Sequence, residues 1–140
     1  MIAIILDSNF LFAITFKKDK NFLRAYELFI ELKESEAQPL LTNNLVLEET
    51  INLVVARFNG NLFHLDKIYN LFWGDDNFFQ TEYLMQDEYK TVFNDLKKYT
   101  TPKRLLSFID ASLIYLYQKY NGDKILSFDN HFDSILKRLY

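Results

Sequence analysis

Five apolar residues run from Ile2 to Leu6 and stop at Asp7, Ser8 and Asn9. An unbroken run of this length, rich in β-branched residues, is the pattern of a strand buried on both faces, as central strands of parallel sheets are. From Asn9 to Phe16 the chain stays apolar without a breaker, which predicts a short helix capped by Ser8 or Asn9. Asn21 caps a second predicted helix through Lys33, with Phe22, Tyr26, Phe29 and Ile30 three and four apart. Ala37 to Thr42 reads as a short strand that tolerates Pro39 near its beginning. Thr42, Asn43 and Asn44 offer N-cap chemistry for a helix from Leu45 to Phe58, stopped by Asn59-Gly60, and Asn61 opens another over Leu62 to Trp73.

The second half repeats the alternation. Phe78 to Leu84 predicts a third strand, and Asp87 to Tyr99 a charged helix that Thr100-Thr101-Pro102 breaks. Leu105 to Tyr120 predicts a long helix with Leu106, Ile109, Leu113, Leu116 and Tyr120 on its apolar face, closed by Asn121-Gly122. Lys124 to Phe128 is a fourth strand, delivering Asp129 at its carboxyl end. Strands alternating with helices predict an α/β fold with three layers, α/β/α, around a mostly parallel sheet of four to five strands. No repeat or linker interrupts residues 1–140, so a single domain is expected.

Composition narrows the chemistry. The chain is 49% hydrophobic, with 14 Phe and 9 Tyr, so aromatic side chains supply much of the core. A net charge of −3 argues against binding nucleic acid through bulk positive charge, while leaving room for a local basic patch. With no cysteine there is no thiolate chemistry and no Cys-ligated metal, and two histidines, His64 and His131, are too few and too far apart in sequence to suggest a histidine site. No apolar run approaches the ~18 residues that span a bilayer, and the start lacks the basic segment of a signal peptide. A soluble, cytoplasmic protein with no membrane contact is expected.

The acids then stand out. In open α/β sheets ligands bind beyond the carboxyl ends of the strands, where Asp7 and Asp129 are predicted to lie. Asp110 sits in LLSFIDASLIYLY, the most apolar stretch of the chain, where a solvated face is a poor explanation. In LVLEETINLVVARF the stripe Leu47, Ile51, Val54 and Phe58 marks the core side, and periodicity slightly favours Glu48 over Glu49 as the acid near it. Carboxylates gathered in one cleft repel by about 4 kcal/mol per pair at 4 Å and an effective dielectric of 20. A divalent cation removes that cost, and an all-oxygen donor set suits Mg²⁺ or Mn²⁺ and phosphoryl chemistry.

Four pieces in order, D-S-N after the first strand, T-N-N-L-V-L-E-E-T before a helix, S-F-I-D-A-S-L-I and L-S-F-D-N-H-F after the last strand, span essentially the whole chain, and together they resemble the PIN-domain family. That resemblance implies an acidic Mg²⁺ or Mn²⁺ site and metal-dependent ribonuclease activity, with Asp7, Glu49, Asp110 and Asp129 as catalytic and metal-holding acids. It also implies a supporting role for Asn9 and Ser127, and it prefers Glu49 where periodicity prefers Glu48, which is kept in reserve. Tyr115 departs from the small residue that the family often has after D-A-x-L-I. A PIN domain standing alone looks most like the toxin of a VapBC-type toxin–antitoxin pair, which implies an RNA substrate, a protein antitoxin that inserts a segment into the acidic cleft, and a homodimer.

Other residues carry two readings each. Lys97, Lys98, Lys103 and Arg104, and Lys17, Lys18, Lys20 and Arg24, fit either contacts to an RNA backbone, Lys103 and Arg104 foremost, or a solvated face. Asp129 also fits the cap of a short terminal helix through Phe132, and His131 beside it fits an approach to a scissile phosphate, though a surface or packing role is the ordinary expectation. The aromatics of NLFWGDDNFFQTEYL are mostly core, with some left for a dimer interface or antitoxin groove. Two rival functions remain. Another Mg²⁺ phosphohydrolase, of receiver or aspartyl-phosphatase type, wants a second acid close to Asp7, where Ser8 and Asn9 stand. A non-catalytic PIN-fold scaffold for protein or RNA would not need all four acids.

Overall fold

The computed structural model of the protein describes residues 3–35 and 38–140, so the expected strand starts at Ile2 and Ala37 lie at or beyond the edge of the described residues. Strand β1 (Ala3–Leu6) is buried along its whole length, as its unbroken apolar run requires. It pairs in parallel with β2 (Leu40–Asn43) on one side and β4 (Gly122–Leu126) on the other, while β3 (Gln80–Glu82) and β5 (Arg138–Leu139) form the edges. The sheet is five-stranded and parallel, in the order β3-β2-β1-β4-β5. Among the described residues six helices flank it: α1 (Ser8–Thr15), α2 (Phe22–Ser35), α3 (Asn44–Arg57), α4 (Leu62–Trp73), α5 (Gln86–Tyr99) and α6 (Phe108–Lys119). No helix among the described residues is long and apolar enough to cross a membrane.

Several boundaries move, each for a local reason. Asp7 itself caps α1, accepting from Ser8 N at 2.7 Å, so neither Ser8 nor Asn9 serves as the cap. Asn43 caps α3 through Val46 N, and its amide also donates to Ser112 Oγ at 2.9 Å, tying the start of α3 to α6. Helix α6 begins three residues later than its apolar pattern suggests, because Ser107 and Asp110 form a capping box. It packs against β1, β2 and β4 beneath α5, so Ala111, Ser112 and Ile114 are buried beside the predicted stripe. The predicted third strand shrinks to three residues: Phe78 and Phe79 turn into an aromatic cluster, and Leu84 N leaves the ladder for Asn44 Oδ1.

At the last strand the register shifts. Gly122, predicted to close α6, opens β4 opposite Ala3, where a Cβ would stand 2.5 Å from the Tyr117 ring. The reversal is made instead by Asn121 in the left-handed region, φ 51. Strand β4 ends at Leu126, so Asp129 sits on the loop beyond it. Strand β5 was not anticipated: two residues cannot show a period, and Arg138 is not an apolar signal. The aromatic core is as expected in part, with Phe10, Phe72, Phe79 and Phe132 buried, whereas Trp73 and Tyr83 remain exposed.

Candidate active site

The carboxyl ends of β1 and β4 lie side by side, and their polar residues interlock. Asp7 is 4% exposed. Its Oδ1 accepts from Ser8 N, while Oδ2 accepts from Ser127 Oγ at 2.7 Å and from Asn9 Nδ2 at 3.5 Å. Asn9 Nδ2 also donates to Ser127 Oγ at 3.2 Å, and its Oδ1 accepts from Phe128 N at 3.0 Å. Ser127 Oγ in turn accepts from Asp129 N at 3.0 Å. Asn9 and Ser127 therefore clamp the loop after β4 onto the first acid, which fixes the Asp7 carboxylate in one orientation.

Glu49 projects from α3, Asp110 from the first turn of α6, and Asp129 from just before a single 3-10 turn, Asn130–Phe132. Asp129 Oδ1 accepts from His131 N at 2.9 Å, which caps that turn and swings the imidazole back over the acids. His131 Nδ1 lies 3.3 Å from Asp129 Oδ2 and 3.6 Å from Asp110 Oδ2. The histidine given an ordinary packing role from sequence is thus part of the acidic cluster. The short capped turn from Asp129 through Phe132 is legible in D-N-H-F, but not that it folds the ring back over the acids.

Electrostatics bind the four acids into one unit. Burial pushes Asp7 up from 3.8 to about 7; the Ser127 hydroxyl opposes this, and the negative charges of Asp110 and Glu49 add to it. Glu49 is raised by burial, against a hydrogen bond from Ser8, with Asp110 and Asp129 raising it further. Asp110 is raised by burial, held back by the Ser107 amide and hydroxyl and by His131, and raised by Asp129. Glu48, the residue that the apolar stripe favoured, is exposed, whereas Glu49 is half-buried and faces the other acids. The stripe misled because α3 buries Val46 and Thr50 along with Leu47 and Val54, which rotates the inner face towards Glu49.

These groups fit a divalent cation. Ligand atoms of Asp110, Asp129 and His131 lie within 4.8 Å of one another, and His131 Nδ1 is buried with no hydrogen-bond partner. A buried polar atom facing two carboxylates is satisfied by protonation or by a shared cation. The donor set is consequently not purely oxygen, as expected from two distant histidines, but carries one imidazole nitrogen.

The expected basic contacts divide. Arg104 donates to Tyr99 O at 2.9 Å and to Ser134 Oγ at 3.0 Å, which engages its guanidinium with the loops; Lys103 is exposed. A cleft of about 650 Å³ instead opens beside Asn9 and Asp129, walled by Lys20, Arg57, Arg138 and Tyr140.

A parallel sheet flanked by helices, with a constellation of acids at its carboxyl edge, defines an α/β protein with an acidic site at the strand ends. The PIN domain model matches residues 4–137, and the chain belongs to the PIN-domain family. Among solved structures it is similar to the Mycobacterium tuberculosis toxin VapC20, described as cleaving the sarcin–ricin loop, with a TM-score of 0.76, 20% identity and 94% of each chain covered. It is also similar to PAE2754 from Pyrobaculum aerophilum, with a TM-score of 0.57, 18% identity, and 93% of this chain and 83% of that one covered. At these identities the likeness is one of fold. No curated protein matches the sequence.

Proposed function

We propose that the chain, acting as one PIN domain, is a Mg²⁺- or Mn²⁺-dependent endoribonuclease that hydrolyses RNA phosphodiesters, and that it is the toxin of a toxin–antitoxin pair. The observation that carries this reading is the gathering of Asp7, Glu49, Asp110 and Asp129 at the mouth of a parallel sheet, where Asp110 and Glu49 raise Asp7, and Asp129 raises Glu49 and Asp110. Family membership and the fold shared with a toxin described as cleaving the sarcin–ricin loop support it. In this reading the protein works in the cytoplasm as a homodimer, and a cognate antitoxin silences it by placing a segment in the acidic cleft.

Asp7, Glu49, Asp110 and Asp129, joined by His131 Nδ1, would hold the cation directly or through water. Bound there, it supplies Lewis acidity towards a phosphoryl oxygen and lowers the pKa of a water at neutral pH. The chain's own residues set the geometry. Asp7, with both oxygens already accepting hydrogen bonds, is a fixed anion that does not rotate during the reaction. Glu49 is less enclosed than Asp7 and its pKa is raised, which suits it to take the proton of an attacking water at its carboxylate. Asn9 and Ser127 keep Asp7 and the Asp129 backbone in register, so that attack and departure stay in line.

The test is cleavage of a mixed RNA pool in Mg²⁺, Mn²⁺ or EDTA, beside the Asp7→Asn protein. Cleavage by the wild type in metal alone, with loss in EDTA and in Asp7→Asn, is the expected result. Equal cleavage by Asp7→Asn would end this mechanism. RNA binding without cleavage in either metal would leave the non-catalytic scaffold.

A further inference from the structure

We infer that the cleft beside the acids is the track of a single-stranded RNA segment, in which one base next to the scissile phosphate stacks on Tyr140 while Arg57 and Lys20 hold the flanking phosphates. This rests on the nuclease reading above and adds to it three residues, Tyr140, Arg57 and Lys20, that grip the strand beside the acids. The cleft shares Asn9 and Asp129 with the acidic site, so a strand cut at the acids must continue into it or away from it.

Tyr140 is built as a platform. The Arg138 guanidinium lies 3.7 Å from the centre of its ring, covering one face, while the residue as a whole remains 59% exposed. Arg138 is held there by three hydrogen bonds. It is gripped at two points by Asp133, at 2.8 Å and 3.1 Å, and donates to Ser127 O at 3.2 Å, the backbone of the residue that clamps Asp7. From the other side Arg24 holds Tyr140 O at 3.0 Å. An aromatic ring fixed on one face and open on the other, at the edge of a polar cleft, offers a surface for an unpaired base.

The cations divide by the same geometry. Asp133 neutralises Arg138, which therefore positions the ring and leaves phosphate binding to others. Arg57 lies on the Phe12 ring at 4.7 Å and forms a loose ion pair with Asp19 at 3.9 Å; unlike the Arg138–Asp133 pair, this one has no hydrogen bond, so the Arg57 donors can turn to phosphate oxygens. Lys20, exposed on the same wall, adds a second positive charge. A paired duplex keeps its bases stacked on one another and presents none to Tyr140, so the arrangement selects single strands, loops or ends.

The test is binding of a fluorescein-labelled single-stranded RNA oligonucleotide, followed by anisotropy in Ca²⁺, and of the same sequence as a duplex. Tyr140→Leu is expected to weaken single-strand binding about tenfold while Tyr140→Phe retains it, which separates stacking from a mere packing role. Arg57→Ala and Lys20→Ala are each expected to lower the slope of log affinity against log salt by about 0.7, one phosphate contact apiece. The duplex is expected to bind more weakly and to be indifferent to Tyr140→Leu. Unchanged binding and unchanged salt slopes in all three variants, or a wild type that prefers the duplex or binds neither, overturn the inference. A wild type that shows the expected binding pattern yet cuts no RNA in Mg²⁺ or Mn²⁺ refutes the nuclease reading alone.

Discussion

Ser127 Oγ donates to Asp7 Oδ2 at 2.7 Å, across 120 positions of sequence, and this contact joins the end of β1 to the loop after β4. It is the strongest influence opposing the burial that raises Asp7. Ser127→Ala removes a donor that favours the ionised carboxylate, so the Asp7 pKa climbs further. If cleavage needs ionised Asp7, the acid limb of the pH profile of kcat/KM moves up by about one pH unit. Rates across pH 5.5–9 check this; a limb that stays in place separates Asp7 from the titration.

The same raised pKa has a consequence for stability. Between 3.8 and about 7 the folded protein binds a proton at Asp7 that the unfolded chain has released, so stability falls as pH rises through that window and stays low above it. The rise corresponds to roughly 4 kcal/mol. Asp7→Asn should therefore raise the melting temperature of the metal-free protein at pH 8 and bring no such gain at pH 4, though it eliminates cleavage. Thermal denaturation in EDTA at the two pH values reads the difference.

Adding Mg²⁺ or Mn²⁺ should reverse that penalty, since a cation favours the ionised acids. At 100 times the dissociation constant the gain is about 2.7 kcal/mol. It should be present at pH 8, small at pH 4, and absent from Asp7→Asn at equal metal. Melting curves with and without metal measure it.

Glu49 and Glu48 are neighbours with opposite expected behaviour. Glu49→Gln should lower kcat by at least about 100-fold, since it removes a charge coupled to Asp110 and Asp129. Glu48→Gln, on an exposed position, should stay within about threefold of wild type. Parallel kinetics on the two variants decide between them.

His131→Ala removes the nitrogen that stands between Asp110 and Asp129. Metal affinity should fall by about tenfold or more, and Asp110 should be raised further, since His131 holds its pKa down. Mn²⁺ titration followed by electron paramagnetic resonance gives the affinity directly. An unchanged Mn²⁺ affinity would place the imidazole outside the metal's reach.

Local pattern determined much of this protein. The run into Asp7 fixed a central strand, because only burial on both faces explains five apolar residues in a row; the helix over Leu62–Trp73 was readable to the residue from Asn61 and its apolar period. An acid in the apolar stretch around Asp110 pointed to chemistry, because an unpartnered buried charge is costly. The capping box from Ser107 to Asp110 was also there to be read, and it would have placed the start of α6 correctly. Tertiary structure alone decided the rest. Which glutamate of α3 turns inward depends on what the helix packs against, and His131, Arg138 and Tyr140 gain their positions from a 3-10 turn and a two-residue edge strand. Such short elements take their direction from the strand they pair with, and no periodicity along the chain carries that information.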